Sequence, residues 1–400
     1  MVSLLRPIIF LLIPISWAKV PTTVYQWGKV PIKWPNSSWA TTHGRKSVNV
    51  IGIKLWRQNI FLTVPRWHGN SHPLNVATVP RPEDGEPLPL SSPLSPFPSW
   101  EMQTIGDCDA FQFVQSMEIE GEWLMWLPDN GRQFRVRGSP CSPKLIIMDL
   151  KTGQVVHRYD FPASVVPRSG SFLNDIALNI ANKDDKFAYM TDSDLGRLVV
   201  YSLKKDKSWL VAHSSMRADL AGATFSFLNP PARLRISDNN VNGIAVSPVL
   251  NGSKYIYYSP LTSLKLFRLD TAAANTEDVD SVDEYVVEVG NKNSQTDGLS
   301  MDSKGNLYMQ EITGNALTVW QTSGPWGQRR LAQSNTSLIW ADTMAVDDKG
   351  WLWATTRGWP IDSQPKIIKV FLGKDHRPYD FLGEVKSGQK CGAFCDILGL

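Results

Sequence analysis

Asp297-Gly298-Leu299-Ser300-Met301-Asp302-Ser303-Lys304-Gly305-Asn306-Leu307-Tyr308 returns 45 residues later as Asp342-Thr343-Met344-Ala345-Val346-Asp347-Asp348-Lys349-Gly350-Trp351-Leu352-Trp353. Looser copies open at Asn174-Asp175-Ile176-Ala177-Leu178 and Asn242-Gly243-Ile244-Ala245-Val246, and lead to Phe187-Ala188-Tyr189-Met190 and Tyr255-Ile256-Tyr257-Tyr258. Each copy reads as two strands joined by a tight turn. A sheet this small cannot bury both faces alone, so self-similarity at this period with β-type patterning marks propeller blades stacked on one another. Asp109 to Leu127 with Lys144 to Leu150 makes a fifth unit, and Val50 to Trp67 a sixth. The chain is therefore predicted to be all-β, a six-bladed β-propeller. No stretch of helical period is long or regular enough to compete.

Working outward, Arg6 precedes an apolar run, Pro7 to Ile15, and Ser16-Trp17-Ala18 offers the small residues a signal peptidase reads. Residues 1–18 are expected to be a signal peptide, too short in its apolar run to span a bilayer, and residues 19–400 a single propeller domain. The expected destination is the extracellular space, with no membrane partner. Sequons at Asn36, Asn251 and Asn335 agree with that route. Four cysteines allow three pairings; Cys108 with Cys141 is favoured because both flank one blade, leaving Cys391 and Cys395 to close a short loop. Their spacing does not suit a metal site, and none is expected. Between Pro80 and Pro98 seven prolines remove ladder donors, so this segment cannot be a central strand and reads as an extended loop across the propeller face or between the first two blades.

The charge is nearly balanced, 41 Lys and Arg against 38 Asp and Glu, and no basic run interleaves with aromatics, which excludes a nucleic-acid partner. Sixteen tryptophans are accounted for mainly by gaps between twisted blades that large rings fill. His68-Gly69-Asn70-Ser71-His72 has the spacing of a zinc helix, but it lacks the Glu and runs into Pro73, so it reads as a loop. No nucleophile elbow, phosphate loop or dinucleotide fingerprint occurs, and no cofactor is expected.

Val24-Tyr25-Gln26-Trp27, Thr63-Val64-Pro65-Arg66-Trp67, Pro96-Phe97-Pro98-Ser99-Trp100 before Cys108-Asp109, and Cys141-Ser142-Pro143-Lys144-Leu145 together resemble the Yellow and major royal jelly protein family. Ala188-Tyr189-Met190-Thr191-Asp192, Gly243-Ile244-Ala245-Val246-Ser247-Pro248 and Tyr257-Tyr258-Ser259-Pro260-Leu261 extend the resemblance, in order, over nearly the whole mature chain. It implies a secreted six-bladed propeller. The roles it brings differ chemically: conversion of dopachrome-type products in pigmentation, nutrition, and sequestration of biogenic amines.

A propeller binds ligands where the innermost strands begin, so Asp109, Asn174, Asp175, Asn242, Asp297, Asp342 and Thr343 should converge there. Such residues can hold a ligand, cap strand ends or bond neighbouring blades. The expected partner is a small aromatic or catechol-derived molecule, held by Asn174, Asp175, Asn242, Asp297, Thr343 and Thr356. In the amine-binding members that the chain resembles, a Thr or Ser at the start of the last blade and an Asn after its second strand hold the ligand. Thr343 matches the first; Ala354-Thr355-Thr356-Arg357 stands where the second is expected, and an inward Arg would repel an ammonium. If there is turnover, proton transfer by Asp175 or Asp297 is the form it would take. The alternative is a divalent-cation lactonase with Asn174, Asn242 and Asp297 as oxygen ligands, although no Glu stands near the start of the first blade to complete the set.

Overall fold

The structure is a computed structural model that describes residues 18–379 apart from 45–47, 68–71, 84, 122, 133–140, 183–184, 251, 278 and 358–363. Most of the expected leader, Asn251, Cys391 and Cys395 lie outside the described residues.

Six four-stranded antiparallel sheets form a six-bladed propeller. After β1 (Thr22–Gln26), the first blade comprises β2 (Ile53–Trp56), β3 (Asn59–Thr63), β4 (Val76–Pro80) and β5 (Ser95–Pro96). The second holds β6 (Glu118–Glu120), β7 (Leu124–Asp129), β8 (Lys144–Asp149) and β9 (Gln154–Asp160), and the third β10 (Leu173–Asn182), β11 (Asp185–Asp192), β12 (Arg197–Ser202) and β13 (Lys207–Val211). A separate hairpin, β14 (Thr224–Leu228) and β15 (Pro231–Arg235), precedes the fourth blade: β16 (Val241–Val246), β17 (Tyr255–Pro260), β18 (Lys265–Asp270) and β19 (Val286–Asn291). The fifth is β20 (Leu299–Met301), β21 (Asn306–Glu311), β22 (Ala316–Gln321) and β23 (Arg329–Gln333). The sixth has only β24 (Ala341–Val346), β25 (Trp351–Thr356) and β26 (Lys366–Phe371) from its own stretch of chain; β1 pairs with β26 as its outermost strand and closes the ring.

The repeated phrase is turn chemistry. Asp302 Oδ1 accepts from the Lys304 and Asn306 amides, and Asp347 Oδ1 from those of Lys349 and Trp351. Gly305 and Gly350 sit at φ +78° and +79°, where a side chain would be strained. The second oxygen of each Asp accepts a hydrogen bond from the aromatic of the following strand, Tyr308 Oη at 2.8 Å and Trp353 Nε1 at 2.7 Å. Inner strands such as β16 and β24 are buried along their whole length between neighbouring blades, so they read as unbroken apolar runs, whereas outer β9 and β19 are largely exposed. Six apolar clusters each join two consecutive blades, for example Tyr189 and Val200 with Ile244 and Tyr258 between the third and fourth.

Cys108 and Cys141 form a disulfide in the second blade. The proline-rich segment supplies only the two-residue edge strand β5 and isolated bridges, Leu90 to Tyr25 and Leu94 to Ile32, and so runs along the outer rim against the N-terminal strand. At the base of the channel Tyr379 Oη accepts from the Leu178 amide (2.9 Å) and donates to its carbonyl (3.0 Å), laying the last described residues across the opening.

Candidate functional site at the channel mouth

Each inner strand is entered through a two-residue step: Ile51-Gly52, Gln115-Ser116, Asn174-Asp175, Asn242-Gly243, Asp297-Gly298 and Asp342-Thr343. Residues from all six steps line one cavity of about 10 Å³ at the mouth, room for a single water-sized object. Asn174, Asp175, Asn242 and Thr343 are brought together there, and Asp297 borders it through the adjoining Gly298. Thr356 is buried in β25 and is not among the lining residues. Asp109 does not converge on the axis: its side chain is 88% exposed and pairs with Arg158 of β9. The second blade enters the ring through Gln115 and Ser116 instead, because its inner strand starts only at Glu118.

The ring is tied together by a threonine on the second strand of the first, third and sixth blades. Thr63 Oγ1 donates to the Gln115 carbonyl at 2.7 Å, Thr191 Oγ1 to that of Asn242 at 2.8 Å, and Thr355 Oγ1 to that of Ile51. The same oxygens accept from the Gly52, Asp175 and Thr343 amides. Glycine is required where inner strands approach most closely: a Cβ on Gly243 would lie 2.2 Å from the Asp297 carbonyl oxygen, and one on Gly298 2.5 Å from that of Asp342.

Below the mouth lies a chamber of about 90 Å³, lined by Lys54, Glu118, Asp175, Ile244, Met301 and Thr343 among others and floored by Pro378 and Tyr379. Lys54 and Glu118 pair across it at 2.7 Å. Asp175 faces both spaces. Its carboxylate accepts from Ser116 Oγ at 2.8 Å and from the Ile176 and Ile244 amides, yet burial outweighs these bonds and the charge of Lys54 and pushes its pKa up to about 6.

The most heavily charged part of the mouth lies between the fifth and sixth blades. Arg357, just beyond β25, donates through Nη2 to Asp297 Oδ2 at 3.0 Å and through Nε to Asp342 Oδ2. Its guanidinium carbon stands 4.7 Å from the ring centroid of Trp67 and 5.5 Å from that of Trp340. Trp340 Nε1 donates to Asp297 Oδ2 at 2.7 Å. Trp340 adopts φ +49°, and the rings of Phe225 and Phe227 from the β14–β15 hairpin stack on it at 5.5 and 6.3 Å. Burial, then the neighbouring Asp342 charge, raise the Asp297 pKa to about 7 despite Arg357 and Trp340. Burial works against the Arg357 charge as well, but Asp342 and Asp297 more than offset it and the guanidinium stays protonated.

Of the oxygen set Asn174, Asn242 and Asp297, the acidic member is already paired with a cation. The guanidinium occupies the Asp297 carboxylate, while Asn174 Nδ2 donates to Ser193 Oγ and Asn242 Nδ2 to Asn239 Oδ1, bonds that leave the Oδ1 of both amides uninvolved. Among the described residues no group of three or more His, Cys, Asp or Glu side chains is placed to hold a metal. Reading the sequence brought out Arg357 as a departure but not Trp67 or Trp340 as its neighbours, since these come from the first and fifth blades' connections and meet only when the ring closes.

The family model described as Major royal jelly protein matches residues 113–383. The chain is 26% identical over 366 residues to Protein yellow of Drosophila yakuba and 25% identical to that of Drosophila melanogaster, covering 86% of this chain and 66% of each relative. It thus spans just under two thirds of the length of these curated relatives. Among solved structures it is similar to a luciferin-regenerating enzyme (TM-score 0.47, 12% identity, 84% of this chain and 94% of that one). It is also similar to virginiamycin B lyase from Staphylococcus aureus (TM-score 0.43, 11% identity, 82% and 98%). With two thirds of its residues inside the family match and the propeller ring complete, the chain belongs to the major royal jelly protein family.

Proposed function

We propose that this chain is a secreted Yellow-type protein that binds a small catechol-derived aromatic at the rim of the channel mouth. The observation that carries the reading is the meeting of half-buried Trp67 with the buried carboxylates of Asp297 and Asp342 around one guanidinium. The mouth cavity admits only a water-sized object, so the ring lies above it, against the Trp67 face, with its hydroxyls directed to acceptors such as Asp342 and Thr343. Carboxylates accept and do not donate when ionised, which suits a catechol, whose two hydroxyls are donors. Asp297 and Asp175 change protonation close to neutral pH, so a bound dopachrome-type molecule would find a proton acceptor at hand. Binding is the primary role in this reading and proton transfer its extension.

Calorimetric titration with 4-methylcatechol, run beside a dopachrome absorbance-decay assay, tests it. Saturable heat supports binding, and decay faster than the buffer rate and slowed by Asp297→Asn adds turnover. Absence of both saturable heat and accelerated decay would overturn the proposal. Secretion is checked separately by N-terminal sequencing of protein recovered from an expression medium, with Lys19 as the expected first residue.

A further inference from the structure

Arg357 stands in surroundings that would suit a free organic cation. Two carboxylate side chains, Asp297 and Asp342, are 3% and 6% exposed, and two indole rings, Trp67 and Trp340, lie within cation–π reach of the guanidinium. The guanidinium side chain is itself only 16% exposed, and the backbone that carries it is anchored by the Arg357 amide bonding to the Trp340 carbonyl at 3.1 Å. Asp175 is a third acid near Asp297, while the other cation of the channel, Lys54, is paired with Glu118. Without Arg357 the rim would hold buried negative charge flanked by aromatic faces and, among the described residues that meet there, no cation.

We propose that Arg357 is the built-in occupant of an organic-cation cage formed by Asp297, Asp342, Trp67 and Trp340, and that it bars protonated amines from the mouth and reserves the rim for uncharged aromatics. The second half of this inference rests on the rim being the ligand site; the first does not. A free ammonium must displace a cation tethered beside its partners, whose effective concentration disfavours the competitor by about a hundredfold or more. A neutral catechol that stacks on the part of the Trp67 ring the guanidinium leaves uncovered need not open the ion pairs.

The test is calorimetric titration of wild type and Arg357→Ala with three probes: methylguanidinium, serotonin and 4-methylcatechol. Methylguanidinium and serotonin should give no saturable heat with wild type and bind Arg357→Ala at least about a hundredfold more tightly. Methylguanidinium should also raise the melting temperature of Arg357→Ala and leave that of wild type unchanged. Adding Asp342→Asn to the variant should weaken both cations. A folded Arg357→Ala protein that gains no affinity for methylguanidinium overturns the cage, as does wild type binding serotonin as tightly as the variant. If Arg357→Ala fails to fold on its own, refolding it in the presence of methylguanidinium replaces the titration: recovery of folded protein upholds the cage, and no recovery overturns it. Gain of cation binding in the variant with no 4-methylcatechol heat in wild type upholds the cage and overturns the rim as a catechol site.

Discussion

Asp297→Asn should flatten the dependence of stability on pH. A free aspartate titrates near 3.8, whereas Asp297 in the folded mouth titrates at about 7, raised first by burial and then by Asp342. Between these values the folded chain binds a proton that the unfolded chain has released, so stability is highest at low pH and falls as pH rises through the folded pKa. Applied to pH 5 and pH 8, the linkage relation gives a loss on the order of 2–3 kcal/mol from this group. Asp175, raised to about 6, contributes on the order of 1–2 kcal/mol in the same direction and persists in the variant. Asparagine keeps an oxygen for Trp340 Nε1 and Arg357 Nη2, so the geometry is retained while the titration is removed. Urea unfolding followed by tryptophan fluorescence at the two pH values measures the difference; guanidinium salts are unsuitable, because their ionic strength screens the charges whose effect is being measured. The wild type should lose on the order of 2–3 kcal/mol more than Asp297→Asn across this window. Equal losses in the two proteins, or wild type gaining stability with pH faster than the variant, would refute the assignment of a raised pKa to Asp297.

The other expectations are structural. Replacing Cys108 and Cys141 by Ser releases a link across 33 residues and should cost up to about 4 kcal/mol by chain entropy, read as a lower urea midpoint. Thr191→Val strands the buried Asn242 carbonyl and Asp175 amide, and should cost about 1–3 kcal/mol while Ser at the same position restores most of it, both read in urea titrations. Tyr379→Phe removes both bonds to the Leu178 backbone and should speed hydrogen exchange of that amide, with a stability loss of about 1–2 kcal/mol.

The blades were legible because four of them repeat one local phrase, and in two of these the whole turn is spelled out: Asp302 with Gly305 and Asp347 with Gly350 form the same turn from the same atoms. Where that chemistry is missing, the reading drifted. In the second blade the polar pair at the axis is Gln115-Ser116, not Asp109, whose charge is spent on Arg158 at the surface. Closure of the sixth blade by Thr22–Gln26 could not be read locally, because Thr22 meets Lys369 from the far end of the chain. Phe225 and Phe227 alternate as a half-buried hairpin should, but what they bury, Trp340, belongs to another blade's connection. The same reason hid the mouth: Arg357 was visible as a departure from a motif, while its acids and indoles lie up to 290 residues away, at Trp67, and are assembled only by the ring.

The claim that the rim between the first, fifth and sixth blades is the ligand site is tested most directly by titrating 4-methylcatechol into wild type and Trp67→Ala at pH 7. One saturable site per chain in wild type, weakened at least about tenfold when the indole face is removed, is the predicted result. Identical heats in the two proteins, or no saturable heat in wild type, would contradict it.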